Sequence, residues 1–311
     1  MLRSHSLTLA CCLWLGAVGA ATAQYGSSVS QNGIVSPLTA GRLGLSRAWY
    51  TQVQLDRSQA RVAHMTQYVS KQRFHTVFEL TYPDGKELFS ERQVDRFGDE
   101  IGVAGAEKLA KARKQELKDA DVDADLKTLS IPEITFYVQT TQGTLQALDG
   151  ATGRTKWIAQ VGDRNHPTLQ PGANDKYVGV INGSQLYMLD QETGKPLWSR
   201  RLDASPGAGP TLGEEQIYVP TITGKLEVYD LEKHNKPPWF YQSTGRLLAP
   251  PTISEKSVSW PTDRGYLYVM SNQRVGVQFR LEARDTIASS STYLPGKLFA
   301  ASADGYAYCV H

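Results

Sequence analysis

The sequence predicts a mainly β chain whose C-terminal part is a β-propeller of about five four-stranded blades, with a small α+β insertion ahead of most of it. Three observations carry this. From Ile134 onward, apolar and polar residues alternate in short runs separated by turn residues. The runs recur: Leu145, Leu186, Leu226 and Leu267 lie 41, 40 and 41 residues apart. Tryptophan keeps the same spacing, with Trp157, Trp198 and Trp239 at intervals of 41 and 41 and Phe279 in the fourth place.

The first 23 residues read as a signal peptide. Arg3 and His5 precede an apolar run from Leu7 to Ala20, and Ala21-Thr22-Ala23 offers small residues for cleavage before Gln24. The 14-residue run is shorter than the roughly 20 residues that span a bilayer, so no transmembrane segment is expected after its removal. The mature chain is thus expected to be exported to the periplasm or cell envelope. Cys11 and Cys12 would leave with the signal segment, and the one remaining thiol, Cys309, cannot form an internal disulfide.

Residues 24–45, rich in Gly, Ser, Asn and Thr, are expected to be flexible, and residues 46–69 to contribute strands that join the propeller. Residues 70–132 read as the insertion. In it Phe74–Leu80 and Lys86–Phe89 flank the hairpin signal Pro83-Asp84-Gly85, and Ala104–Ala120 carries a helical pattern. Lys108, Lys111, Arg113, Lys114 and Glu116 read as a solvated helix face.

Residues 133–311 hold the repeats, and each recurring residue has a mechanical role. Asp149, Asp190 and Asp230 follow the third apolar position, where a carboxylate can accept hydrogen bonds from turn amides. Gly153 and Gly194 supply the positive φ of a tight turn. The tryptophans cover the apolar gap between neighbouring sheets. One sheet of this size cannot bury both faces alone, so blades must stack radially. A fifth copy, Leu298–Tyr308, lacks an outer strand, and Arg47-Ala48-Trp49-Tyr50-Thr51-Gln52-Val53 looks like one. Trp49 is therefore expected to close the ring by pairing residues 47–55 with residues 305–310; a piece of a larger ring is the alternative.

The segments Ala147-Leu148-Asp149-Gly150-Ala151-Thr152-Gly153-Arg154-Thr155-Lys156-Trp157 and Leu189-Asp190-Gln191-Glu192-Thr193-Gly194-Lys195-Pro196-Leu197-Trp198 resemble the PQQ-type (quinoprotein-like) β-propeller repeat. The resemblance covers roughly residues 133–311. Blade three departs from it with Lys233-His234-Asn235-Lys236, and blade four lacks both Asp and Trp. Two branches share the repeat: quinoprotein dehydrogenases, and the non-enzymatic BamB-like exported branch. The dehydrogenase branch implies a quinone held against a vicinal cysteine pair with Asp, Asn and Glu around calcium, whereas the only adjacent cysteines here are Cys11 and Cys12. The resemblance therefore implies a non-enzymatic protein-binding scaffold without cofactor, whose partner is a protein of the cell envelope. The alternative is a quinoprotein dehydrogenase-like enzyme or a degenerate relative.

The remaining chemistry is sparse. Thirty-three basic against 31 acidic residues leave +2, which gives no field for nucleic acid. His64, His75, His166, His234 and His311 are scattered, without metal-ligand spacing. Asp119, Asp121, Asp123 and Asp125 alternate like a calcium loop, but counting from Asp121 puts Leu126 where the loop needs Gly and Pro132 where it needs Glu. No nucleophile motif or phosphate loop occurs, so no catalytic, cofactor or metal residues are expected.

Overall fold

The computed structural model describes residues 37–45, 48–55, 60–272 and 276–311. The expected signal peptide, with Cys11 and Cys12, and most of the 24–45 segment lie outside the described residues. The chain divides into a unit ending at Ala48 and a unit from Trp49 to His311. In the first, the stretch expected to be flexible carries a short helix, α1 (Pro37–Arg42). A turn with Leu45 N donating to Ala40 O at 2.9 Å follows it.

The second unit is mainly β, five antiparallel sheets arranged as the blades of a propeller. Blade one contains β1 (Val62–Tyr82), β3 (Asp125–Thr140), β4 (Thr144–Asp149) and β5 (Thr155–Gln160), with β2 (Gly85–Ser90) on the far side of β1. Blade two runs β6 (Gly172–Ala173), β7 (Tyr177–Asn182), β8 (Gln185–Asp190), β9 (Pro196–Arg201). Blade three runs β10 (Thr211–Leu212), β11 (Gln216–Pro220), β12 (Lys225–Asp230), β13 (Trp239–Gln242). Blade four runs β14 (Thr252–Ile253), β15 (Ser257–Pro261), β16 (Tyr266–Ser271), β17 (Val277–Glu282). Blade five has β18 (Thr292–Leu294), β19 (Lys297–Ala301) and β20 (Ala307–Val310).

The apolar residues meet between blades rather than within them. Leu145 and Ala147 of β4 face Val178 and Val180 of β7, and Leu186 and Met188 of β8 face Ile217 and Val219 of β11. Leu226 and Val228 of β12 face Val258 and Trp260 of β15, and Leu267 of β16 meets Ala300 and Leu298 of β19. The period of two along each strand, multiplied by the 41-residue repeat, thus yields a chain of interfaces in place of one central core. A register shift recurs at Ala147/Leu148, Met188/Leu189 and Val269/Met270. It is the local bend expected of a bulge where each outer strand leaves its turn. The inner strands β6, β10 and β14 are only two residues long. Pro171, Pro210 and Pro251 immediately precede them and, lacking N–H groups, cannot extend a ladder. Hydroxyls bridge the blades instead: Thr211 Oγ1 donates to Pro251 O at 2.7 Å and Thr252 Oγ1 to Ser291 O at 2.6 Å.

The expected ring closure needs correction. β20 pairs with β19, and among the described residues no strand pairs with its other edge. Residues 48–55 form no strand, and from Trp49 the segment runs along blade one instead. Trp49 Nε1 donates to Gly150 O at 2.9 Å, its ring meets Phe136 edge-on at 6.1 Å, and Gln54 N donates to the Gln146 side chain at 3.0 Å. These contacts engage the segment on the first blade, away from the strand it was expected to join.

β1 and β3 are far longer than a blade strand. Residues 62–69 of β1 pair with 134–140 of β3 in the blade; after a shift between Val69 and Phe74, residues 74–81 pair with 125–132 in a lobe. β2 joins there, and α2 (Gly102–Asp119) packs Ala106, Ala110 and Leu117 against Phe78, Leu80 and their neighbours. Alanine on the buried stripe lets the helix approach the sheet closely. Arg113 is not merely solvated: it donates to both Glu87 oxygens at 3.1 Å, fastening α2 to β2. Those bonds from Arg113 hold the Glu87 carboxyl below its ordinary range, against a smaller opposing effect of burial.

Candidate docking site between the lobe and the first blade

The lobe stands on the blade through a chain of alternating charges. Arg92, just beyond β2, pairs with Glu133 of β3 and with Asp149 at the end of β4. Arg73, in the shift that separates the two halves of β1, reaches Glu133 at 3.2 Å and Glu192 of blade two at 3.4 Å. The Arg92, Glu133 and Asp149 side chains are largely buried, and there a broken pair is costly because it strands a desolvated charge. Ser70 Oγ donates to Asp175, and Arg73 Nη1 donates to Asp175 O at 3.3 Å, so the lobe root also grips blade two.

Between lobe and blade lies a groove of about 420 Å³. The lobe wall offers Val94, Ile101 and Leu109; the blade wall is the β4–β5 turn with Thr152 and Arg154; Arg92 is at the junction. Val94 and Leu109 remain 47% and 46% exposed, and Phe97 in the same loop is 74% exposed. Arg154 Nη2 donates to Gly98 O at 2.6 Å, which orients the guanidinium across the groove mouth.

The turn itself is built from the repeat signature. Asp149 Oδ1 accepts from Ala151 N at 3.0 Å, Thr152 N at 2.9 Å and Thr152 Oγ1 at 3.0 Å, while its other oxygen takes Arg92. Asp190 accepts from Thr193 N at 2.8 Å and Thr193 Oγ1 at 2.6 Å; Asp230 accepts from Glu232 N at 2.9 Å and Lys233 N at 2.8 Å. The Thr193 hydroxyl is the main cause that holds the Asp190 carboxyl below its ordinary range, and the Lys233 amide does the same for Asp230. Gly153 and Gly194 have φ of 71° and 67°. A Cβ on Gly153 would lie 2.5 Å from the Trp49 ring and one on Gly194 2.4 Å from the Trp157 ring. Only glycine admits both the backbone and the indole.

The tryptophans follow one scheme. Trp157 is buried and donates to Gln191 O at 2.9 Å, just as Trp49 donates to Gly150 O. In the third blade, where Thr-Gly is replaced, Trp198 stacks on His234 at 4.6 Å instead. Trp239 packs half-buried against the cluster around Trp260. The repeat reading passed over Trp260 itself, which is fully buried, stacked on Tyr268 at 5.5 Å and bonded to Ser243 Oγ at 2.8 Å. It also passed over Arg92, Glu133 and Arg154, since no local pattern ties an arginine to a carboxylate 41 or 57 residues away.

Another concavity lies among the inner strands. It is lined by groups such as Thr66, Gln67, Gln170, Pro210, Thr211 and Ser290, with a volume of about 280 Å³. Its lining offers hydroxyls, amides and prolines, with neither a carboxylate for calcium nor a cysteine pair to stack on a quinone; Cys309 is exposed on β20. This donor set does not fit the cofactor of the quinoprotein branch. Among the described residues no three His, Cys, Asp or Glu side chains gather as a metal site.

The profile of the family described as outer membrane protein assembly factor BamB matches residues 182–289, which are blades two to four with the first strands of blade two excluded. Over that stretch the repeats match the PQQ-type propeller repeat. No curated protein matches the chain. Among solved structures, BamB from Moraxella catarrhalis is 18% identical with a TM-score of 0.39, over 56% of this chain and 69% of that one. The computationally designed Ika8 protein is 12% identical with a TM-score of 0.48, over 57% of this chain and 55% of its own length. The Cps50 (Swd1) propeller domain of Myceliophthora thermophila is also 12% identical at 0.48, over 55% of this chain and 59% of that domain. The aligned part thus spans little more than half of the last two.

Proposed function

We propose that this chain is an exported, non-enzymatic propeller that serves as a protein-binding scaffold in outer-membrane protein assembly at the cell envelope. The observation that carries the reading is the profile match over residues 182–289 to a family described as an outer-membrane assembly factor. The architecture supports it. Blades stacked through continuous apolar interfaces form a rigid support, and loops and lobe on such a support can hold a partner without paying a large ordering entropy. The lining of the inner-strand cavity lends no support to quinone chemistry.

The test is affinity isolation of the mature chain from detergent-solubilised envelope, with mass spectrometry of what co-purifies. Stoichiometric recovery of outer-membrane assembly components is expected. Tight binding of pyrroloquinoline quinone with calcium-dependent alcohol or sugar oxidation would overturn the non-enzymatic reading, and absence of any stable envelope partner would overturn the scaffold reading.

A further inference from the structure

From the groove between the lobe and the first blade we infer a docking site for an extended peptide segment of a partner protein that carries an aliphatic or aromatic side chain next to an aspartate or glutamate. The inference rests on the scaffold reading and specifies where on the chain it operates.

Three features of the groove lead to this occupant. Its walls are preformed, because the Arg73–Glu133–Arg92–Asp149 chain and the Arg113–Glu87 pair hold lobe, helix and blade together. A preformed groove needs little ordering on binding. Its floor is apolar: Val94 and Leu109 line it nearly half exposed beside Ile101, and Phe97 in the same loop is exposed with the Arg96 guanidinium 4.7 Å over its ring. Its charge is one-sided. The lining residues include Arg92 and Arg154 and no carboxylate. Arg92 is already neutralised by Glu133 and Asp149. Arg154 is held only by the neutral carbonyl of Gly98, and among the described residues no carboxylate forms an ion pair with it. Asp95 of the same loop forms no ion pair with it, and Asp95 Oδ1 accepts from Phe97 N at 2.8 Å and Asp99 N at 3.0 Å.

An oriented guanidinium beside an apolar floor is matched by a carboxylate and an apolar side chain a residue or two apart. The guanidinium can bind the carboxylate in a fork while its remaining N–H groups stay satisfied. The Gly98 bond fixes the position of Arg154 in advance.

The experiment uses the full chain and fluorescein-labelled octapeptides that pair one Phe or Leu with Asp or Glu, each matched with an Asn, Gln or Lys version, read by fluorescence anisotropy. Acidic peptides are expected to bind at least tenfold more tightly than their amide or lysine versions. Arg154→Glu should abolish that preference, Arg154→Lys should retain part of it, and Leu109→Ser should weaken all peptides alike. Both residues are surface positions, and an unchanged circular dichroism spectrum and melting midpoint will show that the three variants fold. Equal binding of acidic and amide peptides, or full binding by Arg154→Glu, would overturn the site. Sedimentation of the wild-type chain as a dimer that Arg154→Glu dissolves would also overturn it, by assigning the groove to a second copy. Envelope partners captured equally by wild type and Arg154→Glu would sink the groove and leave the scaffold reading intact. Loss of all partners from the wild type would sink the scaffold reading itself.

Discussion

Trp157→Ala is the most direct test of how the blades are held together. Trp157 is 8% exposed, packs in the interface between blades one and two with its ring 5.9 Å from Tyr137, covers Gly194, and donates to Gln191 O at 2.9 Å. Removing a buried aromatic ring costs about 3–5 kcal/mol, and leaving a buried carbonyl without its donor adds about 1 kcal/mol. In a chain of this size each kcal/mol moves the melting midpoint by about 2–4 °C, so the variant should melt roughly 8–24 °C lower. Trp157→Phe separates the two contributions. It keeps most of the apolar contact with Gly194 and loses the hydrogen bond, so it should fall by only about 1–3 kcal/mol. The neighbouring Ile158, 42% exposed on the same strand, provides the control, and Ile158→Ala should stay within about 1 kcal/mol. Differential scanning calorimetry of the three variants decides the matter. If Trp157→Ala melts within about 3 °C of wild type, or no lower than Ile158→Ala, the tryptophan does not seal the interface and the stacking argument fails.

Other perturbations address the turns and the lobe. Arg92→Ala leaves the largely buried Asp149 without its ion-pair partner and Glu133 with Arg73 alone, so it should cost about 3 kcal/mol and accelerate hydrogen exchange in 102–119 more than in blade four; uniform exchange would refute the clamp. Gly194→Ala should destabilise by more than about 1 kcal/mol, because a Cβ there meets the Trp157 ring and the backbone has φ of 67°; an unchanged midpoint would show the turn adjusts freely. Asp190 and Asp230 have folded-state pKa values below their unfolded ones, so their stabilisation is fully present above about pH 4 and is lost as pH falls through the lower folded values. The melting midpoint of wild type should therefore drop below about pH 4, and Asp190→Asn with Asp230→Asn should drop less over the same window; parallel acid profiles would contradict the capping role.

Much of the fold was legible in the residues because its determinants are local and repeated. A strand alternates with period two, a turn announces itself through Asp and Gly, and a blade that cannot bury both faces forces the next one to stack on it. Alternation, turn residues and the 41-residue spacing therefore pointed to stacked blades without reference to distant contacts. Trp49 marks the boundary of that kind of reasoning. Its segment resembles an outer strand with its tryptophan, and like Trp157 it packs over a Thr-Gly turn, but which blade receives it depends on the path of the chain through residues 48–55. The tertiary structure puts it on Gly150 and Gly153 rather than beside β20. Of the candidate site only the turn that forms its blade wall, with Asp149 and Gly153, was legible. Arg92 meets Glu133 and Asp149 from 41 and 57 positions away, and Arg154 reaches Gly98 across 56. No period or motif encodes such pairings, because ion pairs and grooves arise where separately folded elements happen to be brought together. Periodicity in the sequence determined what each blade is made of; only the packing of the lobe on the first blade decided where an apolar floor and an unanswered arginine would meet.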